Sequence, residues 1–556
     1  MKKLLKSLLS LILCVSTLFG ITACKEPEEE DATELTLFAW SLTSVKAAKK
    51  TNSPLYAKIK EHSGVDLDAN SVDSAVYDDA LNKLFNAGEL TDLFVTYGPE
   101  RAKQYKKMID NETLLPVSDY VSETKYPNLY KHLNKFDFLT DLYYADGKHW
   151  SIPTLHTNEH SLYVRMDWIN NLNKTDKLTR ILTEELGHAP SEAELEEYKF
   201  KEPTNILEFY RLARAFTKYD PDENNLNDTY GYTGTSDLWS ENWIYIAFSG
   251  GYQHMVKQAN GEYTSSTITD GTKQAIAFLN RLHNEGIMHP DWQTDTFDDK
   301  QVKFSQGKVG IIEGHNWFNN MVIGFRSVNP SLSIEEASET IKMITPPAGP
   351  NGDYGIAGHP GFWTVVCLNA DMSAAKREKA LALMDFLYSE EGQNLFVYGI
   401  EGVHYKMEGG ERVSLMGKNS SGYNYTVASY DAAYPLSEFC NWVADYHSPY
   451  ATNADKIVPQ MEKSANYAVH EEKPYVQTPL YVEHFQSMED YAEECFVGFI
   501  TGKDYFANYS SGMPTWDNIA IVNSNFQSAW DAFKVKYLGD YRGSDTIAEY
   551  NQYANR

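Results

Sequence analysis

Eight aromatic or imidazole side chains stand where a ligand could meet them. Trp317 follows Gly314, His315 and Asn316 directly after an apolar strand pattern, and Trp239 precedes a helix in the run Asp237 to Asn242. Trp40 closes the strand-like ELTLFAW, Tyr97 lies in the turn Thr96, Tyr97, Gly98, His359 and Trp363 share GHPGFW, and His404 and Tyr405 end YGIEGVHY. The chain holds 38 Tyr and 11 Trp, and many of these rings sit beside Gly, Asn or Pro instead of in apolar runs. Amphipathic rings so placed suit ligands with apolar faces and hydroxyl edges. An isolated Trp can equally be core or rim, and Trp150, Trp168 and Trp243, flanked by apolar residues in regular structure, read as core. Arg165 beside Asp167 at a strand end reads as a structural ion pair.

A second chemistry is offered by Asp220 to Gly231. Asp220, Asp222 and Asn224 alternate, Leu226 can offer a carbonyl and Asp228 follows, which is the oxygen spacing of a calcium loop. The closing bidentate Glu is missing, because the twelfth position is Gly231. An Asx-rich turn without metal fits the same residues, so a structural calcium ion is the only cofactor the pattern suggests and none is required. Catalytic signatures are absent: there is no His-Glu-x-x-His, no Gly-x-Ser-x-Gly and no phosphate loop. Carboxylate pairs for glycoside hydrolysis have no fixed spacing, so a secreted glycoside hydrolase stays open as an alternative. A polysaccharide-binding or structural surface lipoprotein is another, although neither repeats nor sandwich-like strand spacing is seen.

The elements that position these residues begin with a secretion signal. Lys2, Lys3 and Lys6 precede an uncharged apolar run from Ser7 to Ala23, which is shorter than a membrane span needs. Residues 1–23 read as the signal peptide and 24–33 as an acidic tether with too little apolar surface to fold. More than one core is then needed for the 556-residue chain. The formal charge of −28 argues against nucleic acid as a partner. After Cys24 only Cys367, Cys440 and Cys495 remain, with no Cys-x-x-Cys pair, so at most one bridge can form.

Downstream, Glu34 to Trp40 predicts a strand, and Ser53 caps a helix with Pro54 at its first position and Gly64 at its stop. Strands near Val65 to Leu67 and Asp92 to Thr96, with a helix from about Asp78 to Asn86 between them, make a strand-helix alternation and hence a parallel sheet. Ligands collect beyond the carboxyl ends of such strands, which places Trp40 and Tyr97 on a binding edge. Ser161 to Asp167 predicts the first strand of a new unit. Helices follow from Pro203 to Phe216, from Asp270 as cap to Gly286 as stop, and from Ser373 to Tyr388.

The lipoprotein-box pattern Ile21, Thr22, Ala23, Cys24, the turn Gly88 to Asp92, DGKHWSIP at 146–153, LYVRMDWINNL at 162–172, EPT at 202–204, DPDENNLNDTYG at 220–231, FSQGKVGIIEGHNW at 304–317 and FLYSEEGQNLFVYGIEGVHY at 386–405 occur in a fixed order. In that order they resemble the family 1 extracellular solute-binding lipoproteins, the long-chain Gram-positive receptors of carbohydrate ABC importers. The usual Gly-x-Leu-Pro-Asp turn is Gly-Glu-Leu-Thr-Asp here, and the charged insertion at 176–200 carries no assigned function. The resemblance implies an α/β, type II periplasmic-binding-protein-like fold. Two α/β lobes, at 34–153 plus 361–400 and at 158–355 plus 405–556, would be joined by crossings near Pro153 to His160, Gly358 to Trp363 and Ile400 to His404.

It further implies Trp317 as a stacking position, Trp239 as a second, Trp363 and His359 at the second crossing and His404 with Tyr405 at the third. The resemblance also implies calcium in the 220–231 loop, which some relatives bind there, with an empty Asx-rich turn as the rival. Cys24 would carry the lipid anchor, since two acyl chains hold a protein on a membrane surface far better than one. The implied molecule is a monomer on the outer face of the cytoplasmic membrane. It would pass a carbohydrate to ABC transporter permease subunits without chemically altering it.

Overall fold

The computed structural model describes residues 33–41, 53–142, 146–155, 160–251, 255–315, 318–358, 361–431, 433, 436, 449–469, 476–507 and 512–554. Cys24, Trp317 and His359 therefore lie outside the described residues. Strand β1 (Glu34–Ser41) leads to a helix at Pro54–Ser63, β2 (Asp66–Asp73), a helix at Ser74–Ala87 and β3 (Leu93–Thr96). Local chemistry fixes the first helix. Ser53 accepts a hydrogen bond from the Tyr56 N–H, Pro54 supplies the first turn, and Gly64 ends it at φ 68°.

The chain next forms β4 (Ile152–Leu155), β5 (His160–Arg165), β6 (Tyr230–Tyr232), β7 (Val309–His315), β8 (Ile341–Ile344) and β9 (Phe362–Leu368). One five-stranded sheet has the order β2-β1-β3-β9-β4, and a four-stranded sheet has the order β8-β5-β7-β6. β1 is parallel to both β2 and β3, as the alternation predicts, while β9 runs antiparallel to β3 and β4. Each sheet has its own buried core. Leu35, Phe94, Ile152 and Val366 belong to the first, whereas Leu162, Phe209, Trp243 and Phe278 belong to the second. The polypeptide leaves the first sheet after Leu155 and enters the second at His160, then returns between Gly358 and Phe362. These passages are the first two crossings between the sheets.

The third crossing differs. Met416, Val427, Leu436 and Tyr450 pack into the first core, whereas Met461 and Tyr467 pack with the second lobe. Met416, Val427, Leu436 and Tyr450 thus belong to lobe one although Tyr423 packs beside Met461 on lobe two, so the chain does not pass over to lobe two at Ile400 to His404. The anchor is Asp431, whose carboxylate accepts from the Leu55 N–H at 2.8 Å and from the Ser53 hydroxyl at 3.1 Å. The buried carboxylate thereby satisfies the orphan donors at the start of the first helix, which ties this segment to lobe one.

Smaller shifts have equally local causes. Thr269, whose hydroxyl accepts from the Thr272 N–H, caps the helix that Asp270 begins. Asn205 caps Ile206–Lys218 and accepts from the Glu208 N–H. Met166 and Asp167 belong to a helix, Met166–Leu172, that follows β5 directly. The bidentate Arg165 to Asp167 pair, at 2.8 and 2.5 Å, is structural, and Trp168 and Trp243 are fully buried. Among the described residues no helix is long and apolar enough to cross a membrane.

Candidate functional site: aromatic groups at the crossings

On lobe one, three of the singled-out rings meet. Trp363, two residues inside the lobe after the second crossing, lies edge-on to Trp40 with centroids 5.2 Å apart and to Tyr97 at 5.5 Å. The sheet enforces this meeting: Trp40 is the last residue but one of β1, Tyr97 follows β3 and Trp363 is the second residue of β9. Trp363 and Tyr97 are half-buried, while Trp40 is only 3% exposed. Trp40 therefore backs the group, and the other two rings can offer a face. Arg101 sits 4.9 Å over the Tyr97 ring. Immediately after Tyr97, the Pro99 carbonyl accepts from Gln477, which lies just before the long lobe-two helix Pro479–Thr501, so the lobes touch beside this group.

On lobe two, Trp239 starts a 3-10 turn at Trp239–Glu241. It is half-buried and meets His160 edge-on at 5.9 Å, and His160 lies 5.2 Å from His315 and 6.1 Å from Phe297. His160 is the first residue after the first crossing and pairs across the sheet with His315 at the end of β7. Beneath these rings lies a buried charge cluster. His160 Nδ1 is 2.5 Å from Glu313 Oε1, and Lys300 donates to both Glu313 and the Ser240 hydroxyl. Lys300 and Glu313 are fully buried, and the Lys300 ammonium also lies 4.0 Å over the Phe297 ring. Burial alone would raise the Glu313 carboxyl, but the neighbouring Lys300 and His160 override it and hold it at about 2. Glu241, fully buried in the same turn, moves the other way, and burial with the nearby Asp237 pushes it up to about 8.

His160, Lys300, Glu313 and Glu241 were not among the residues expected from sequence, although two of them leave a signal. Glu313 interrupts the apolar strand VGIIEGH, and Lys300 occupies the buried helical face between Phe297 and Phe304.

The pair expected at the third crossing is not brought to these groups. His404 is fully buried, with Nδ1 accepting from the Ile400 N–H at 2.9 Å and Nε2 3.2 Å from Asp431. Both ring nitrogens are engaged, so it cannot meet a ligand. It closes the loop after Gly399, where φ is 76° and a Cβ would approach the His404 ring within 2.5 Å. Tyr405 stands with Tyr398 and Arg412 in a separate surface hollow of lobe one.

The 220–231 loop folds on itself. Asp220 accepts from the Asn224 and Asn225 N–H groups at 3.1 and 3.2 Å, the Asn224 amide donates to Asp222 and Asp228, and Lys308 pairs with Asp228 at 2.7 Å. Asp222 Oδ1 is buried without a hydrogen-bond partner, and burial together with Asp220 and Asp228 raises that carboxyl. Such an orphaned oxygen among carboxylates fits a cation, although no group of three His, Cys, Asp or Glu side chains arranged to hold a metal occurs among the described residues. The missing twelfth ligand has a steric cause, because a Cβ on Gly231 would lie 2.2 Å from the Ala213 carbonyl oxygen.

Two α/β lobes, joined by crossing segments whose ends carry aromatic groups, define a two-lobed binding protein of the type II periplasmic class. The chain belongs to the bacterial extracellular solute-binding protein family, whose model matches residues 45–394. It is 28% identical over 357 residues to the polygalacturonan/rhamnogalacturonan-binding protein YtcQ of Bacillus subtilis, covering 63% of this chain and 62% of that protein. It is 23% identical to Lipoprotein LipO of the same organism, covering 74% of this chain and 76% of LipO. Its fold is similar to that of the S. pneumoniae ABC-transporter substrate binding protein FusA in complex with kestose, with a TM-score of 0.61 and 15% identity, over 94% of this chain and 100% of that one.

Proposed function

We propose that the chain is a lipid-anchored extracellular receptor that binds an oligosaccharide and delivers it to an ABC importer. The observation that carries the reading is that each lobe bears a half-buried ring at or against a crossing, Trp363 with Tyr97 on lobe one and Trp239 against His160 on lobe two. Flat rings on both lobes suit the C–H faces of sugar rings, while Asp237 and Arg101 beside them can bond hydroxyls. A ligand that touches both groups only when the lobes are closed shifts the population toward the closed form. Trp317, which follows β7 in sequence, is a further platform in this reading, and His359 a polar partner.

Cys24 would carry the acyl anchor, and permease subunits would receive the closed form. Asp220, Asp222, Asn224, the Leu226 carbonyl and Asp228 would hold a structural calcium ion, weakly for want of the twelfth ligand. The chain would leave its ligand chemically unaltered. Titration calorimetry against neutral oligosaccharides such as kestose and against oligogalacturonides tests the reading, with released reducing ends assayed in parallel. Saturable binding of intact sugar supports it, and turnover would favour a hydrolase instead.

A further inference from the structure

Three ionisable side chains are buried together behind Trp239, where apolar packing would hold the same elements. One turn further along the same helix, Phe304 packs against the sheet with no charge at all. Burying Lys300, Glu313 and His160 is costly, because desolvation offsets much of their mutual attraction, and apolar replacements of such groups are often neutral or stabilising. A buried charge cluster is therefore poorly explained by stability alone.

Two of its contacts reach the turn that bears Trp239. Lys300 donates to Ser240, the next residue, and the Tyr232 hydroxyl donates to the Ser240 carbonyl at 2.9 Å. Glu313 links Lys300 to His160, whose ring supports the edge of Trp239 and which begins the lobe at the first crossing. On the other side, Asn242 donates to the Trp239 carbonyl at 2.6 Å and accepts from the Ala357 N–H at 2.7 Å, just before the second crossing. The turn is thus tied to both crossing segments, through directional hydrogen bonds that fix orientation as apolar contacts do not.

Resting on the receptor reading above, we propose that Lys300, Glu313 and His160 are positioning residues for the ligand platform. They lock the Trp239 ring to the two crossing segments, so that its face is set before a ligand arrives. A preset face spares the ordering cost of binding. It also makes the platform move with the crossings as the lobes close.

The test uses the full mature chain labelled with 5-fluorotryptophan, in which the Trp239 resonance is the one lost in Trp239→Phe. The neutral double variant Lys300→Met/Glu313→Gln leaves no charge of the ion pair uncompensated and so guards against simple unfolding. Glu285→Gln, which disturbs the Arg281 to Glu285 pair elsewhere in lobe two, is the control. The double variant is expected to shift or broaden the Trp239 fluorine signal and to weaken the wild type's best oligosaccharide about ten- to hundredfold. The control should lower the melting temperature without either effect. An unchanged Trp239 signal in the folded double variant would overturn the proposal, as would unchanged affinity. Absence of sugar binding by the wild type would instead sink the receptor reading, with the fluorine signal still reporting on the lock.

Discussion

Replacing Glu241 with Gln should make the protein more stable in mildly alkaline solution than it is now. Its carboxyl is fully buried and holds its proton up to about pH 8, against 4.5 for an ordinary glutamic acid. Between those limits the folded chain keeps a proton that the unfolded chain releases, so the contribution is intact below 4.5 and is lost as pH rises toward 8. The gap of about 3.5 pH units, at about 1.4 kcal/mol each, sets an upper value of about 5 kcal/mol, and relaxation around a charged Glu241 trims it to about 2–5 kcal/mol. Gln keeps the shape and cannot ionise, so the variant should match wild type near pH 4.5 and exceed it progressively up to pH 8. Denaturant melts of both proteins across that range, read on lobe two, measure the difference directly and cancel every other titrating group. A difference that does not change with pH would refute the reasoning, as would a variant that is less stable throughout.

The other residues give further expectations. Trp363→Ala removes a half-buried ring from the lobe-one group and should weaken oligosaccharide binding by about 1–3 kcal/mol, measured by calorimetry at unchanged stoichiometry. His404→Ala leaves Asp431 buried without its imidazole donor and should cost about 1.5–3 kcal/mol of stability, with sugar affinity unaltered; a selective loss of affinity would return His404 to the ligand site. Calcium should raise the melting temperature relative to chelator, and Asp222→Asn should abolish the rise; equal melting with calcium and chelator would leave the loop an Asx turn.

Local signals were legible wherever one residue decides the outcome. Ser53, Pro54 and Gly64 bound their helix as expected, because capping is a matter of adjacent backbone groups. The strand at Asp66–Asp73 runs well beyond Leu67, since DLDANSVD is an edge strand with little apolar alternation and is held by its register with β1. Trp40, Tyr97, Trp239 and Trp363 could be placed on strand ends and turns from sequence, and the sheet brings three of them together. That Trp40 backs the group and does not face outward depends on packing, which spacing does not encode. The third crossing and the role of His404 were misplaced because a loop motif does not say which lobe its continuation joins, and Asp431, which decides it, is distant in sequence from Ser53. The Lys300, Glu313 and His160 cluster escaped notice for the same reason, although a glutamate inside an apolar strand is a readable anomaly.

The account depends on two aromatic groups gripping one uncleaved glycan between the lobes. Small-angle scattering of the full mature chain, titrated with the best-binding oligosaccharide, measures this most directly when the same samples are then analysed for cleavage. A saturable contraction in radius of gyration, weakened alike by Trp363→Ala and Trp239→Ala, with the sugar recovered intact, is the predicted result. Binding without contraction that ignores either substitution, or recovery of shortened sugar, would contradict it.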